Sequence, residues 1–234
     1  MSELVRGRRS GAVAVIELDR PERRHAMNTP LLEALLAALS GSAGDPAVAA
    51  VVIAGSEGCF SSGADISEDL DHDGAVRRMG LFARLFETVA GFPKPTVAAI
   101  DGWCVGGGAE VASGCDLRVG TPGASIRFPE AIYGVPGGAA RLPALVGLSH
   151  AKDLLLTARV VGGEEAYRIG WLNRLVPPDQ LAPTAEQLAG EMAGHRGTAA
   201  LKRILDEAAG ISSRTRQENR ALIRFQDEAT GLMG

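Results

Sequence analysis

Two runs in this sequence, residues 48–54 and 96–100, are apolar at almost every position, and each leads toward a glycine-rich stretch. A strand with apolar side chains on both alternating faces must be covered on both, as strands inside a parallel sheet are covered by helices. The rest of the pattern supplies those helices. Residues 12–18 read as a strand that Asp19-Arg20-Pro21 stops. Thr29 then caps a helix with Pro30 in its first turn, Leu31, Leu32, Leu35, Leu36 and Leu39 form its apolar face, and Gly41 ends it. Residues 75–90 form an amphipathic helix with Met79, Phe82, Leu85, Phe86 and Val89 inward. Short strands are expected at 117–119 and 125–128. After Pro143 the periodicity predicts helices over 149–157, 163–169, 184–193, 198–209 and 213–229, interrupted by a strand at 172–176. That order indicates an α/β core, residues 1–190, followed by a helical C-terminal subdomain, residues 191–234, with the boundary in the region of Pro177-Pro178 and Pro183.

Composition narrows the partners. A chain of 234 residues, 46% hydrophobic and 22% charged, is ordinary for one folded domain with a small appendage. Its 24 basic and 28 acidic residues leave a net charge of −4, which offers no broad electrostatic footprint for nucleic acid or anionic lipid. No segment approaches the ~20 apolar residues of a membrane span, and Met1-Ser2-Glu3-Leu4-Val5-Arg6 lacks the apolar core of a secretory signal. Cys59, Cys104 and Cys115 are odd in number and form no CxxC pair, which suggests neither a disulfide framework nor a metal site. The expectation is a cytoplasmic protein without nucleic-acid, membrane or metal partners.

Three segments place chemistry-bearing residues beside a glycine or proline at a strand end. In Val105-Gly106-Gly107-Gly108-Ala109-Glu110, between a strand and a helix, the glycines permit backbone angles and close approaches that a Cβ forbids. At a helix start the free N–H groups point outward with the positive end of the dipole behind them, so the segment can hold a negatively charged oxygen. A tight turn would account for the glycines equally well. A dinucleotide fingerprint fails because Val111 stands where its third glycine belongs. Glu110 falls in the first helical turn, as does Glu130 after Pro129, and each could simply complement a helix dipole. Two such carboxyls converging on one water would couple, with burial and like charge raising one pKa. The third segment, Phe60-Ser61-Ser62-Gly63-Ala64-Asp65-Ile66, is placed to present the Ala64 N–H to the same crevice. Ser61 and Ser62 lack a nucleophile-elbow frame. His72, His150 and His195 read as solvated or structural, and Arg216, Arg220 and Arg224 read as a solvated or oligomer-facing stripe.

Taken in order, these segments resemble the enoyl-CoA hydratase/isomerase (crotonase) superfamily over about residues 12–176. Arg20-Pro21-Glu22-Arg23-Arg24-His25-Ala26-Met27-Asn28 is similar to its early RPE-x-x-N-A-x-N signature. Phe60–Asp65 is similar to its F-x-x-G-A-D loop, Lys94–Gly102 to the strand before its glycine motif, and Gly106–Glu110 to that motif, with Cys115-Asp116-Leu117 and Phe128-Pro129-Glu130 completing the set.

The resemblance implies a crotonase-like (ClpP/crotonase) fold, a spiral of ββα units, assembled as a homotrimer or as a hexamer built from two trimers. It implies an oxyanion hole made by the N–H groups of Ala64 and Gly107, and an acyl-CoA site lined by the backbone of Ala64, Asp65, Ile66 and Ser67. Glu130 becomes the principal acid/base, and Glu110 orients and activates water. The implied activity is hydration of a trans-2-enoyl-CoA to a 3-hydroxyacyl-CoA, with an acyl-CoA thioester as substrate and no metal or redox cofactor. Alternatives are a Δ3–Δ2 enoyl-CoA isomerase, for which one carboxylate suffices, and a non-catalytic CoA-binding oligomeric protein. Arg23 and Arg24 are placed either for the anionic end of CoA or as a plain surface cluster. The sequence departs from the family in three places. The stretch from Tyr133 to Leu142 is shorter than the family's loop and lacks its G-G-T-Q run, His25 stands where Asn is commoner, and the chain stops at Met233-Gly234, before the basic aromatic tail of many members.

Overall fold

The computed structural model describes residues 4–228. In chain order it contains β1 (Val5–Ser10), β2 (Val13–Leu18), α1 (Thr29–Gly44), β3 (Ala50–Gly55), α2 (His72–Ala90), β4 (Thr96–Ile100), β5 (Trp103–Val105), α3 (Gly107–Gly114), β6 (Leu117–Gly120), β7 (Ser125–Arg127), α4 (Glu130–Tyr133), α5 (Leu142–Thr157), β8 (Val161–Gly162), α6 (Gly163–Arg168), β9 (Arg174–Leu175), α7 (Pro178–Gly194), α8 (Thr198–Ala208) and α9 (Ile211–Glu228). Six strands form one sheet in the order β1-β2-β3-β4-β6-β9, antiparallel only between β1 and β2. A second sheet has the order β5-β7-β8.

The two-sided burial required by the apolar runs is met. Along β3, Val51 and Ile53 enter the main core with Leu31, Leu35 and Phe82, whereas Ala50 and Val52 point the other way, onto Ala185 and Ala189 of α7. This is the α/β arrangement expected from the sequence. The last helix, α9, folds back along α2 and sends Leu222 into the main core. The expected division at residues 190 and 191 falls inside α7, which packs on β2, β3 and β4. No described helix is long and apolar enough to cross a membrane.

Several local expectations shift for identifiable reasons. The edge strand β1 carries Arg6, Arg8 and Arg9 and exposes five of its six residues, so it shows no apolar alternation, a common disguise of sheet edges. Helix α1 is capped by Asn28, whose side chain accepts from the Leu31 N–H at 3.1 Å, so Thr29 lies inside the helix, and the helix runs past Gly41 to Gly44. Asp71 likewise caps α2 by accepting from the Gly74 N–H, which starts that helix three residues before Ala75. Helix α5 begins at Leu142 and bends at Gly147. Helix α7 runs through Pro183, because the burial of Ala185 and Ala189 against the sheet outweighs one lost backbone bond. The last strand shortens to β9. The expected final residue of the last helix, Ala229, and the Met233-Gly234 end lie outside the described residues.

One shift matters for the site. Strand β4 does not run on into the glycine cluster. At Gly102 (φ 51°) the chain turns out of the large sheet and starts β5 in the small one. A Cβ at Gly102 would stand 2.3 Å from the Gly58 carbonyl oxygen. Gly102→Ala is therefore expected to destabilise the protein by about 2–3 kcal/mol, read from the urea midpoint at unchanged m-value.

Candidate active site

Strands β5 and β7 run parallel with Trp103 opposite Ser125, Cys104 opposite Ile126 and Val105 opposite Arg127, so both end at the same edge. Each is followed almost at once by a helix. The Gly106 N–H donates to the Arg127 carbonyl (2.9 Å) and α3 begins at the next residue, while β7 passes through Phe128 and Pro129 into α4. Pro129 occupies the cap position and not the first turn, so Glu130 is the first residue of α4. The 60–66 loop joins the same edge. Ser61 bridges Cys104, donating its N–H to the Trp103 carbonyl (2.8 Å) and accepting at its own carbonyl from the Val105 N–H (2.9 Å).

The three glycines have three different reasons. Gly106 adopts φ 48°, ψ −118°, a conformation that L side chains avoid. A Cβ on Gly107 would lie 2.7 Å from Phe82 Cε1, and one on Gly108 would lie 2.8 Å from Ser61 Cβ. The two amide-bearing loops are close: a Cβ on Gly63 would be 3.5 Å from the Gly107 nitrogen. Among the described residues, neither the Ala64 N–H nor the Gly107 N–H donates to a protein acceptor. Ala64 and Gly107 line a cleft of about 440 Å³ together with Asp65, Ile66, Ser67, Glu110 and Glu130, so the structure brings every expected site residue to one place. Phe82, Phe86 and Leu222 supply its apolar wall.

Glu110 and Glu130 are 2% and 8% exposed, and Glu110 Oε1 and Glu130 Oε2 are buried without a hydrogen-bond partner. The shortened loop seats on both side chains. A Cβ on Gly137 would be 3.0 Å from Glu130 Cγ, and one on Gly138 would be 3.1 Å from Glu110 Oε1. Burial, and next the charge of Glu110, push the Glu130 carboxyl up to about 8. It is thus an un-ionised acid at neutral pH.

Two residues of the site went unnoticed in the sequence. Arg141, at the cap of α5 and 2% exposed, hydrogen-bonds through Nη2 to Glu110 Oε2 and to Glu218 Oε1 (3.1 Å), and through Nη1 to Thr215 Oγ1 (3.1 Å). Burial opposes its charge, but the carboxylates around it win, and its pKa is raised. Glu218, on α9, lines the cleft and is pushed up to about 7 by burial and by Glu110. The available signal was the inward stripe Thr215, Asn219, Leu222 and Gln226, which is polar at three of four helical positions. The outward Arg216, Arg220 and Arg224 are exposed.

The side chains of the 64–67 segment organise the loop. Asp65 accepts from Arg20 Nη1 (2.6 Å) and from the Ser67 N–H and hydroxyl (2.9 and 2.7 Å); burial works against its ionisation, but these bonds prevail and hold the carboxyl below its usual range. Arg78 donates to the Asp65 carbonyl (2.6 Å). His25 is fully buried, accepting at Nδ1 from the Arg20 N–H (2.9 Å) and donating from Nε2 to the Ser56 carbonyl (3.0 Å). Its own carbonyl accepts from the Ser61 hydroxyl (2.8 Å), so this histidine braces the amide-bearing loop. Among the described residues, no three His, Cys, Asp or Glu side chains are grouped to hold a metal ion.

Comparison with known proteins says what a chain with this fold and this cleft is similar to. The enoyl-CoA hydratase/isomerase family model matches residues 8–229, and the chain belongs to that family of enzymes. It is 37% identical over 186 residues to the crotonyl-CoA hydratase of Syntrophomonas wolfei, covering 77% of this chain and 72% of that one. It is 35% identical over 190 residues to the short-chain-enoyl-CoA hydratase of Clostridium acetobutylicum, covering 79% and 73%. The crystal structure of an enoyl-CoA hydratase/isomerase from Xanthobacter autotrophicus superimposes with a TM-score of 0.89 at 27% identity, covering 100% of this chain and 91% of that one.

Both raised carboxyls make stability depend on pH. Their native pKa values, about 8 and about 7, lie above the ordinary 4.5. Between those limits the native protein holds protons that the unfolded chain has released, so stability falls as pH rises through that window. The urea midpoint is expected to drop between pH 5 and pH 8, and Glu130→Gln to flatten that drop.

Proposed function

We propose that the protein is an enoyl-CoA hydratase that adds water across a trans-2-enoyl-CoA. The observation that carries this reading is the pair of unpartnered buried oxygens, Glu110 Oε1 and Glu130 Oε2, in one cleft with the free N–H groups of Ala64 and Gly107. The two amide N–H groups donate to the thioester carbonyl oxygen. As water attacks C3, its oxygen forms the new C–O bond and the C2=C3 π electrons move through C2 and C1 onto the thioester carbonyl oxygen, giving an enolate-like transition state. Two fixed donors stabilise this charge, each worth about 10²–10³ in rate. Glu110, as carboxylate, takes a proton from the water at Oε1. Glu130, as neutral acid, delivers its proton to C2 while the enolate electrons return. The products are a 3-hydroxyacyl-CoA and the two glutamates with their protonation exchanged, and one proton passing between them resets the site.

Coenzyme A enters as part of the substrate, and the proposed chemistry uses no metal or redox group. The same reading carries a homotrimeric or hexameric assembly and cytoplasmic residence, with Leu201, Ile204 and Leu205 exposed on α8 as available apolar surface. One observation favours an isomerase as the second reading: Arg141 occupies Glu110 Oε2, which leaves Glu130 as the carboxyl without a bonded cation.

The two separate on crotonyl-CoA and a 3-enoyl-CoA, followed by the conjugated thioester absorbance. Hydration predicts that crotonyl-CoA is consumed, and that Glu110→Gln and Glu130→Gln each slow this by about 10²–10⁴. The rate of hydration should also fall as pH rises through about 8, where Glu130 loses its proton. Turnover of the 3-enoyl substrate alone would favour the isomerase, and tight binding without turnover a non-catalytic protein.

A further inference from the structure

We infer that Glu218 is a positioning residue for the hydration step: with Thr215 it restricts Arg141 to a single contact on Glu110, so that the second oxygen of Glu110 stays open to the attacking water. This rests on the hydratase reading above.

A guanidinium left alone with one carboxylate tends to take it with two parallel N–H···O bonds. Arg141 does not. Its Nη2 is shared between Glu110 Oε2 and Glu218 Oε1, its Nη1 is drawn away to the Thr215 hydroxyl, and its Nε has no partner. Thr215 and Glu218 are three residues apart on α9 and so lie on one helical face. Glu218 is itself fixed, because its Oε2 accepts from the N–H of Ala140 (2.7 Å), the residue before Arg141. The Phe86 ring, 5.4 Å from the guanidinium carbon, packs against the same group. The outcome is a buried carboxylate, on a residue that lines the cleft, with one oxygen held by a cation and the other, Oε1, without a hydrogen-bond partner.

Charge acts in the same direction. The charged groups facing Glu218 are Arg141, Glu110 and Glu130. On the helices packed against α9, Arg78 and Glu87 of α2 bond elsewhere, to Asp65 and Glu68 and to Asn219 respectively, and Lys202 of α8 pairs with Asp116 and Asp206. An ionised Glu218 therefore draws part of the field of Arg141 away from Glu110 and helps to keep Glu130 protonated.

The test is the pH–rate profile of crotonyl-CoA hydration for wild type, Glu218→Gln, Glu218→Asp and Thr215→Val, with butyryl-CoA affinity and far-UV circular dichroism as controls. Glu218→Gln keeps an oxygen for the Ala140 N–H but loses the charge. It should lower kcat about tenfold with KM within about twofold, and move the alkaline limb to lower pH by about one unit. Glu218→Asp keeps the charge and should keep the limb, with kcat reduced by the shorter reach. Thr215→Val should lower kcat and leave the limb in place. A folded Glu218→Gln with wild-type kcat and an unmoved limb overturns the inference alone. If that variant does not fold, unchanged kcat in both Glu218→Asp and Thr215→Val overturns it. A wild type that does not hydrate crotonyl-CoA overturns the hydratase reading and this inference together.

Discussion

Three residue pairs between β5 and β7, with Ser61 bridged onto Cys104 beside them, hold three loops at one sheet edge, and the chemistry of the site is set by that short ladder. Only Gly106 separates β5 from α3, so the amide of Gly107 and the carboxyl of Glu110 sit within a single helical turn and cannot be moved apart. The parallel partner strand delivers Glu130 to the same edge. The far end of α3 is fixed as well. Arg118, buried at its C-terminus, donates to the carbonyls of Cys115 (2.9 Å) and Ala112 (3.4 Å), and through Nε to that of Trp171 (2.6 Å). A cation there complements the negative end of the helix whose positive end faces the cleft. Burial lowers its pKa to about 10, which still leaves it charged at neutral pH.

Glu110, Glu130 and Glu218 are packed around one buried guanidinium, that of Arg141, and the three carboxyls cannot all be ionised without severe desolvation. The fold resolves this by giving the single cation to Glu110 and Glu218 while leaving Glu130 without one. Of two chemically identical side chains at equivalent strand–helix junctions, one lies against a guanidinium and the other is pushed toward the neutral acid by burial. Such a division suits a reaction that must accept a proton at one carbon's nucleophile and donate one at the next carbon.

The parts of the site that were legible in the sequence are those encoded within a few residues. Gly106–Glu110 and Phe60–Asp65 each carry glycine and an acid at fixed offsets, Phe128–Glu130 carries a proline and an acid, and all three reach the cleft. The large sheet was legible because residues 48–54 and 96–100 are apolar on both faces. What escaped depends on contacts between distant segments. Strand β5 has three residues and merges in sequence with β4 until the Gly102 turn is seen. Strand β1 is disguised by its arginines. Arg141 and Glu218 are 77 positions apart, and neither carries a local motif; the regularly spaced arginines of α9 point outward, whereas its inward face, polar at Thr215, Asn219 and Gln226, is the informative one. The helix through Pro183 was missed because proline signals a break locally, and only the sheet face it covers shows why the helix continues.

The central claim is that one thioester oxygen is held by the amides of Ala64 and Gly107 while one water is held by Glu110 and Glu130. A crystal structure with bound butyryl-CoA, which cannot be hydrated, tests it most directly. The account predicts the thioester oxygen within hydrogen-bond distance of both nitrogens, with an ordered water on Glu110 Oε1 and Glu130 Oε2 above the acyl C3. A thioester oxygen bound elsewhere, or a Glu110 turned to take Arg141 with both oxygens and no water in its place, would contradict it.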